Sequence, residues 1–522
     1  MGNTAVTAAV GRRRGRPQRL PFDNTAVSST AIDGNKRLAW LMAVSRLDAC
    51  ERTAANRSDF AADLRALDIR ADSSRISRWE SGLEPISPRL VRGYETVAGL
   101  APHTIDTLRR RLVRLGHLRP VAARGWSPVA ERSVDALLIE VAEERITGSG
   151  WLELADCVTT FEHIYLPEAT WQLLVDRLLG ELVRARGLAA ARRYEAAAAL
   201  IRHPAARAHM SRGVGRLVLA PGAQLITPAL LLLAEAPDEG LRTLVQRLLA
   251  SPTDSLRGAA EILAARLVSD GSLAPDSPEL EAHVGYTLQH GHDRPRAAIL
   301  ELASLLPEAA FARVLSATKS RAAQQCLIRV RESSEVVEPD LARSISDHVA
   351  GVVEDATGRT AHDPDRMLRT VLRTALFHGR RERRHTATQL LLASPYAGQV
   401  NAAVLELTAH PDDQVAAQCW SLVARLAHAN GADRLVQAVS AEERTPLRPR
   451  ALVTLGAVRV PVPDDAAEAL TRTAHEAPDT PAARAALFSL GLQGMKDRLR
   501  GLAATAPETQ WWAGIGPAIH DN

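Results

Sequence analysis

The most informative stretch in the N-terminal part of this 522-residue chain is residues 72–82, which read Asp-Ser-Ser-Arg-Ile-Ser-Arg-Trp-Glu-Ser-Gly. The Asp and the Ser at the start can cap a helix, and Gly82 can adopt the left-handed conformation that ends one. Ile76 and Trp79 lie three residues apart and share one face, which we predict to be buried. The opposite face presents small hydroxyl groups and an arginine, which suit the major groove of DNA: Ser73, Ser74, Ser77 and Arg78.

Residues 76–82 resemble the recognition helix of the XRE (phage-repressor-like) helix-turn-helix family, which runs Ile-Ser-Arg-Trp-Glu-x-Gly before a Pro-containing linker and another helix. The resemblance covers about residues 35–104, and Pro85, Pro88, Leu90, Tyr94 and Leu100 fit the linker and the next helix. It implies a structural contact for Glu80. It also implies DNA contacts from residues 73–78, of which we select Ser73, Ser74, Arg75, Ser77 and Arg78. Arg78 is the best candidate for a guanine contact, because a guanidinium can bond O6 and N7 together.

The sequence departs from the family pattern at three places. A longer polar connection, Asp48 to Ser58, separates the first two helices. Leu67-Asp68-Ile69 replaces the usual Leu-Gly-hydrophobic turn, and residues 69–76 form a stretch about two residues longer than usual. These departures leave the DNA contacts of the second helix open, with Arg57 and Ser58 as candidates.

Residues 1–34 are rich in Thr, Ser, Ala, Gly and Arg without apolar periodicity, which predicts a disordered basic tail. Within it, residues 14–17 read Arg-Gly-Arg-Pro and resemble the AT-hook, in which the arginines lie in the minor groove. We therefore predict DNA contacts from Arg14 and Arg16. The alternative is a basic tail that only touches phosphates. Both strengthen DNA binding by releasing counterions.

The charge is distributed unevenly along the chain. Residues 1–126 hold 22 basic and 12 acidic side chains, a net of +10, whereas residues 127–522 hold 42 and 48, a net of −6. This asymmetry favours a polyanionic partner for the N-terminal part and fits a helix-turn-helix DNA-binding domain over residues 35–126.

Residues 127–522 alternate apolar helical segments with short breaks of Pro, Gly and Asp, so we predict an all-α protein throughout. Several helices follow Pro- or Asp-containing turns; the predicted spans are 256–267, 297–306, 415–426, 451–455 and 483–490. The run from His410 to Ala417 resembles the inner helix of a HEAT repeat, in which the turn Asp caps the helix. The resemblance implies a long helical-repeat solenoid with an extended concave face. An irregular all-α domain is the alternative.

Two basic runs have open interpretations. Residues 107–115 predict an amphipathic helix with either a solvated basic face or phosphate contacts. Residues 380–385 read Arg-Arg-Glu-Arg-Arg-His and predict either a solvated helix face or a second nucleic-acid contact. Trp511 and Trp512 are interpreted as a cap of the solenoid.

The sequence favours neither catalysis nor a cofactor. The four cysteines are scattered, the histidines lack metal-ligand spacing, and no phosphate-loop or nucleophile-elbow motif occurs, so we predict no enzyme, no cofactor and no metal. Pro and Gly interrupt the longest uncharged stretch, and the N-terminus lacks an apolar segment, so we predict neither a membrane span nor a secretory signal. These features indicate a cytoplasmic, nucleoid-associated protein.

The first hypothesis is a sequence-specific transcriptional regulator that binds double-stranded DNA as a homodimer. Its helical-repeat domain would serve dimerisation or bind a protein, peptide or small-molecule effector. The alternatives are a DNA-tethered scaffold or defence-related protein that recruits partners and, with less support, a HEAT-like DNA glycosylase. An inverted-repeat operator would favour regulation, and binding without sequence preference would favour the scaffold.

Overall fold

The computed structural model describes residues 19–53, 55–121, 133–161, 164–290, 296–358, 364–428, 431–458, 462–476, 480–502, 507–515 and 519. Within these ranges the protein is all-α, with 28 α-helices, two short 3-10 helices and no β-strand beyond two isolated bridges. The prediction of an all-α protein is confirmed.

Five helices form the N-terminal part: α1 (Gly34–Thr53), α2 (Arg57–Ala66), α3 (Ser73–Glu80), α4 (Pro88–Val97) and α5 (Thr104–Arg114). The next twelve are α6 (Val134–Ala142), α7 (Gly148–Thr160), α8 (Glu168–Arg184), α9 (Gly187–Arg202), α10 (Pro204–Val218), α11 (Thr227–Leu232), α12 (Glu239–Leu249), α13 (Asp254–Ser269), α14 (Pro278–His290), α15 (Ala297–Ser304), α16 (Glu308–Ala317) and α17 (Arg321–Ser333). The last eleven are α18 (Pro339–Ala356), α19 (Arg366–Phe377), α20 (Arg381–Ala393), α21 (Ala397–Glu406), α22 (Asp413–Leu426), α23 (Ala432–Ala441), α24 (Arg448–Ala457), α25 (Asp464–Glu476), α26 (Pro481–Leu492), α27 (Lys496–Gly501) and α28 (Pro507–Ile515).

Helix α1 is the centre of the N-terminal part, which we call the head (α1–α5). It packs on α2, α3, α4 and α5, and its residues 38–44 are all buried. Helix α1 therefore has no polar stripe, because helices surround it. Ile76, Tyr94 and Phe60 complete the core from α3, α4 and α2.

The head packs against the remaining helices, which we call the body (α6–α28). Helix α5 lies on α9 and α20, and α1 also contacts α20. The indole Nε1 of Trp40 in α1 donates to Asp365 Oδ2 at 2.9 Å, in a buried contact. The predicted domain junction falls largely on residues 122–132, which lie outside the described residues.

The prediction of a disordered tail is wrong for residues 19–33. Asp23 is fully buried and ion-paired with Arg37 at 2.8 Å. His378 Nε2 contacts the carbonyl of Val27 at 3.1 Å, and Arg383 donates to the carbonyl of Ser29 at 2.8 Å. Three scattered apolar side chains, Leu20, Phe22 and Ile32, also pack against the core. Backbone carbonyls, one ion pair and irregularly spaced apolar contacts hold this segment, so the sequence shows no apolar periodicity there.

The body has two layers along much of its length. Alternate helices pack on one another in the series α11, α13, α15, α17 and again in the series α20, α22, α24, α26. A second layer covers them, with α12 on α13, α14 on α15 and α16, α23 on α24, and α25 on α26. Helices cover four of the five predicted spans in full, and α15 ends at Ser304, two residues before the end of the span 297–306. Asp412 caps α22 by accepting from the N–H groups of Gln414 and Val415 at 2.7 and 3.2 Å.

The C-terminal end of the body packs against the segment between α10 and α11. Trp512 in α28 packs edge-on against Phe488 and donates from Nε1 to Gln224 Oε1 at 2.6 Å. Gly222 makes this approach possible, because a Cβ there would lie 2.2 Å from the Pro507 carbonyl. Trp512 therefore connects α28 to the segment between α10 and α11, a contact that the predicted extended concave face did not include.

Candidate nucleic-acid interface

Capping interactions define the starts of α2 and α3. Asn56 accepts from the N–H groups of Ser58 and Asp59, and Asp59 accepts in return from the Asn56 N–H at 2.9 Å, which forms a capping box. Asp72 caps α3 by accepting from the Arg75 N–H at 2.8 Å. This hydrogen bond is the main cause that lowers the pKa of Asp72. Of the two predicted caps, Asp72 is therefore the one used.

The connection from α2 to α3 contains a non-glycine residue in the left-handed region. Asp68 has a φ of 57°, a conformation that a short polar side chain tolerates better than most. Arg89 holds it by donating to the Asp68 carbonyl at 2.9 Å and carboxylate at 2.7 Å. Asp68 can therefore make the turn for which the family pattern has glycine. Gly82, with a φ of 69°, follows α3 as predicted.

Helix α3 has one buried and one exposed face. Ile76 and Trp79 are buried, as predicted. Ser74, Ser77 and Arg78 are exposed, whereas Ser73 and Arg75 are half-buried. The Ser73 hydroxyl lies 3.2 Å from the hydroxyl of Ser58, which connects the first turns of α2 and α3.

The two arginines of α3 have different environments. The Arg78 guanidinium is about half exposed and forms an ion pair with Glu84 at 2.6 Å. Arg75 donates to the Arg70 carbonyl at 2.9 Å, and its guanidinium lies over the Trp79 ring, 5.3 Å from the centroid. Arg75 therefore lies along the protein surface. Arg78 can reach outward when it leaves Glu84, a partner that the sequence analysis did not identify.

A buried polar network fixes the orientation of α3. Glu80, for which the resemblance implied a structural contact, accepts from Arg46 Nε at 2.6 Å and from the Tyr94 hydroxyl at 3.2 Å. Burial alone would lower the pKa of Arg46, but the hydrogen bonds and charge of Glu80 outweigh this effect, so the pKa is raised. Burial, followed by the charge of Glu80, raises the pKa of Tyr94. These three side chains connect α1, α3 and α4.

The basic run in α5 is neither a solvated face nor a phosphate-binding face, and both interpretations are corrected. Arg110 pairs with Asp106 and Asp156 at 2.6 Å, and Arg114 pairs with Glu195 at 2.7 Å and with Glu235. Arg111 is buried and donates from Nε to Thr386 Oγ1 at 2.9 Å. The arginines face the body because α5 packs against it.

The cluster at residues 380–385 is also directed inward, so both of its predicted roles are wrong. Arg383 and Arg384 are buried, and Arg384 donates to the backbone carbonyls of His378 and Gly379. Burial, then neighbouring arginines, lowers the pKa of Arg381 to about 10. This run faces the interior because α20 contacts α5, α9 and α22.

Arg14 and Arg16, the predicted minor-groove residues, lie outside the described residues. Within the described part of the chain, no group of three or more His, Cys, Asp or Glu side chains is arranged to hold a metal ion. None of the described helices combines the length and apolar composition needed to cross a bilayer. No protein-family model matches this chain, and neither a curated protein nor a solved structure is detectably similar to it.

Proposed function

We propose that this protein is a sequence-specific DNA-binding transcriptional regulator. In this proposal α2 and α3 form an XRE-like helix-turn-helix, and the body is a HEAT-like helical repeat. The observation that carries the proposal is the division of α3 into a buried face with Ile76 and Trp79 and an exposed face with Ser74, Ser77 and Arg78.

The position of α3 supports this role. Helix α3 packs on α1 and α2, whereas the head contacts the body through α1 and α5. The exposed face of α3 therefore lies away from the main head–body contact. A helix in this position can enter a major groove while the body stays outside it.

The network around Glu80 supports precise base contacts. Its partners Arg46 and Tyr94 belong to α1 and α4, so α3 is held from two sides. A rigid recognition helix loses little conformational entropy when it binds, and the small serine side chains allow it to approach the bases closely.

We infer that Arg78 changes partner when the protein binds its operator. In the free protein the guanidinium pairs with Glu84. In the complex it would bond guanine O6 and N7, which have the planar, two-acceptor geometry that a guanidinium prefers. Glu84 thus competes with DNA for Arg78 and weakens contacts to sites that lack the guanine.

The layered packing of the body supports the HEAT-like part of the proposal. Alternate helices stack on one another, and a capping aspartate starts α22. Dimerisation is also part of the proposal, and it requires an operator with two inverted half-sites about one helical turn apart.

The test is sequencing of genomic DNA fragments bound by the purified full-length protein at one fixed salt concentration. The variant is Arg78→Ala, and the matched control is Arg500→Ala, another exposed arginine in a 2.6 Å ion pair. We expect wild type and control to enrich the same motif, and Arg78→Ala to lose roughly 10- to 100-fold in affinity for it. Equal binding by all three proteins without a shared motif would refute sequence-specific regulation and favour a scaffold.

A further inference from the structure

A cavity of about 630 Å³ lies at the junction of head and body. Helix α5 lines it from the head, and helices α8, α9, α11, α13, α15, α20, α22, α24 and α26 contribute residues from the body. Its volume falls in the range of sites for small molecules, about 300–1,000 Å³. We call it the junction cavity.

The lining of the junction cavity has an excess of positive charge. Four carboxylates line it, and so do eight arginines: Arg111, Arg114, Arg186, Arg266, Arg380, Arg381, Arg383 and Arg425. The acidic side chains are already engaged. Glu235 pairs with Arg114, Asp270 and Glu382 pair with Arg266, and Glu301 accepts from the Arg381 backbone N–H at 2.9 Å.

Six of the lining arginines have no carboxylate within ion-pair distance among the described residues, since only Arg114 and Arg266 are ion-paired: Arg111, Arg186, Arg380, Arg381, Arg383 and Arg425. The side chains of Arg111, Arg186, Arg383 and Arg425 donate to a hydroxyl or to backbone carbonyls. For example, Arg186 donates to the carbonyls of Val183 and Ala185, and Arg425 donates to that of Ala375 at 2.9 Å. Neutral acceptors of this kind do not balance the charge of a buried guanidinium.

Several polar atoms around this cavity lack a hydrogen-bond partner. They include the Arg186 Nη2, Arg383 Nη1 and Arg425 Nε nitrogens and the Gln389 Oε1 oxygen, all of them buried. A buried donor without a partner costs about 1–3 kcal/mol, and more when it is charged. The three nitrogens have almost no accessible surface of their own, so an anion in the cavity would compensate the charge of these guanidinium groups without accepting from these particular atoms.

Arg111 and Arg186 remain charged in spite of their burial. Loss of water lowers the pKa of Arg186 to about 10, and loss of water together with the nearby Arg114 lowers that of Arg111 to about 10. Both groups are therefore protonated at neutral pH. His117 is neutral there, because burial and then the charge of Arg383 lower its pKa to about 4.

We propose that the junction cavity binds a small organic anion with at least two negative charges and an apolar part. Oxyanion groups, whether phosphate or carboxylate, would pair with the guanidinium groups of Arg111, Arg381 and Arg425. The apolar part would contact the hydrophobic lining, which includes Leu182, Leu231, Ile262, Leu392, Val453 and Phe488. Such a ligand would bridge α5 of the head to α20 and α22 of the body.

The test measures thermal stabilisation and calorimetric affinity for two probes, 1-naphthyl phosphate and naphthalene-2,3-dicarboxylate. Neutral 1-naphthol and an ionic strength matched with KCl serve as controls. The comparison between the two dianions distinguishes a phosphate ligand from a dicarboxylate ligand. No DNA is present, so the result does not depend on the proposed function.

The variants are Arg381→Gln and Arg425→Gln, and the control is Arg472→Gln, which removes an exposed arginine on α25. We expect saturable binding of at least one dianion by wild type and control, with a loss of about 10- to 100-fold in affinity for each cavity variant. Without ligand, each cavity variant should melt at the same temperature as wild type or higher, because it removes one of several crowded positive charges.

Two results would overturn the proposal. One is a thermal shift no larger than that of matched KCl for both dianions. The other is equal dianion affinity in wild type and in both cavity variants. Lower stability of both variants without ligand, combined with unchanged affinity, would assign these arginines a structural role only.

Discussion

Replacement of Arg114 by Met should loosen the contact between the head and the body. The guanidinium donates to Glu195 at 2.9 and 2.7 Å and also pairs with Glu235. It lies over the Tyr194 ring, 5.1 Å from the centroid. The three charged groups are almost inaccessible to solvent, since the side chains of Arg114, Glu195 and Glu235 are 4, 2 and 6% exposed.

The magnitude follows from the two carboxylates that the substitution leaves behind. Removal of one partner from a buried ion pair costs about 3–5 kcal/mol, because the remaining charge has neither water nor a counter-charge. Each 1.4 kcal/mol changes an equilibrium constant about tenfold. If this free energy is lost from the equilibrium in which α5 opens locally, the fraction of molecules with α5 open should rise about 100- to several-thousand-fold.

Hydrogen exchange followed by mass spectrometry measures this change in peptides from residues 104–114. Arg343→Met is the matched control, because Arg343 pairs with Asp340 at 2.9 Å on the surface, where an ion pair contributes about 1 kcal/mol or less. Addition of Glu195→Gln and Glu235→Gln to Arg114→Met should partly restore protection. Unchanged exchange in α5, or equal effects of Arg114→Met and Arg343→Met, would refute this account of the head–body contact.

Two further predictions concern α3 and the segment before α1. Glu84→Gln should strengthen specific DNA binding by up to about fivefold, because the ion pair that competes for Arg78 contributes about 0.2–1 kcal/mol. Titration with the operator measures this change, and Glu308→Gln, which removes another carboxylate that pairs with an arginine, is the control. Weaker binding by Glu84→Gln would contradict the prediction. Burial and then the charge of Arg383 lower the pKa of His378 to about 3 in the folded protein, whereas an unfolded histidine has a pKa of about 6.5. As the pH falls, the unfolded state therefore takes up a proton before the folded state does. The free energy of unfolding should fall by about 2 kcal/mol between pH 7 and 5. Melting curves of His378→Gln should show a smaller pH dependence than those of wild type and of the exposed control His348→Gln, and an equal dependence in all three would count against this origin.

Local features of the head were predictable because they depend on neighbouring residues. The spacing of Ile76 and Trp79 predicts the buried face of α3, and both are buried. Gly82 takes the predicted left-handed conformation. A cap at the start of α3 was also predicted, although the sequence left the choice between Asp72 and Ser73 open. Each of these features depends on residues within one or two helical turns, so the local sequence is sufficient to predict it.

Long-range contacts were not predictable in the same way. Glu84, which pairs with Arg78, is six residues away along the chain and beyond the end of α3. Glu195 and Glu235, which pair with Arg114, lie more than 80 residues away. Nothing in the local pattern distinguishes an arginine that will meet a buried carboxylate from one that will meet water.

The net charge of +10 over residues 1–126 was therefore a poor measure of the surface that DNA would encounter. Arg37, Arg46 and Arg114 are counted in it, yet each is buried against a carboxylate. The chain has only three lysines among its 64 basic residues, so arginine serves inside the fold as well as outside it. Its planar guanidinium can satisfy two oxygens at once, which suits it to buried pairs better than lysine.

Helical position gives a better signal than charge. In α5, Leu108 and Leu112 form the apolar stripe, and Arg111 lies three residues after one and next to the other. Arg111 therefore belongs to the buried face by its spacing alone. In α20 the buried Arg384 likewise precedes Ala387 and Leu391 by three and seven residues. Arginines within an apolar stripe should be assigned to the interior. The same criterion assigns Arg78 of α3 to the surface, because Arg78 lies on the face opposite Ile76.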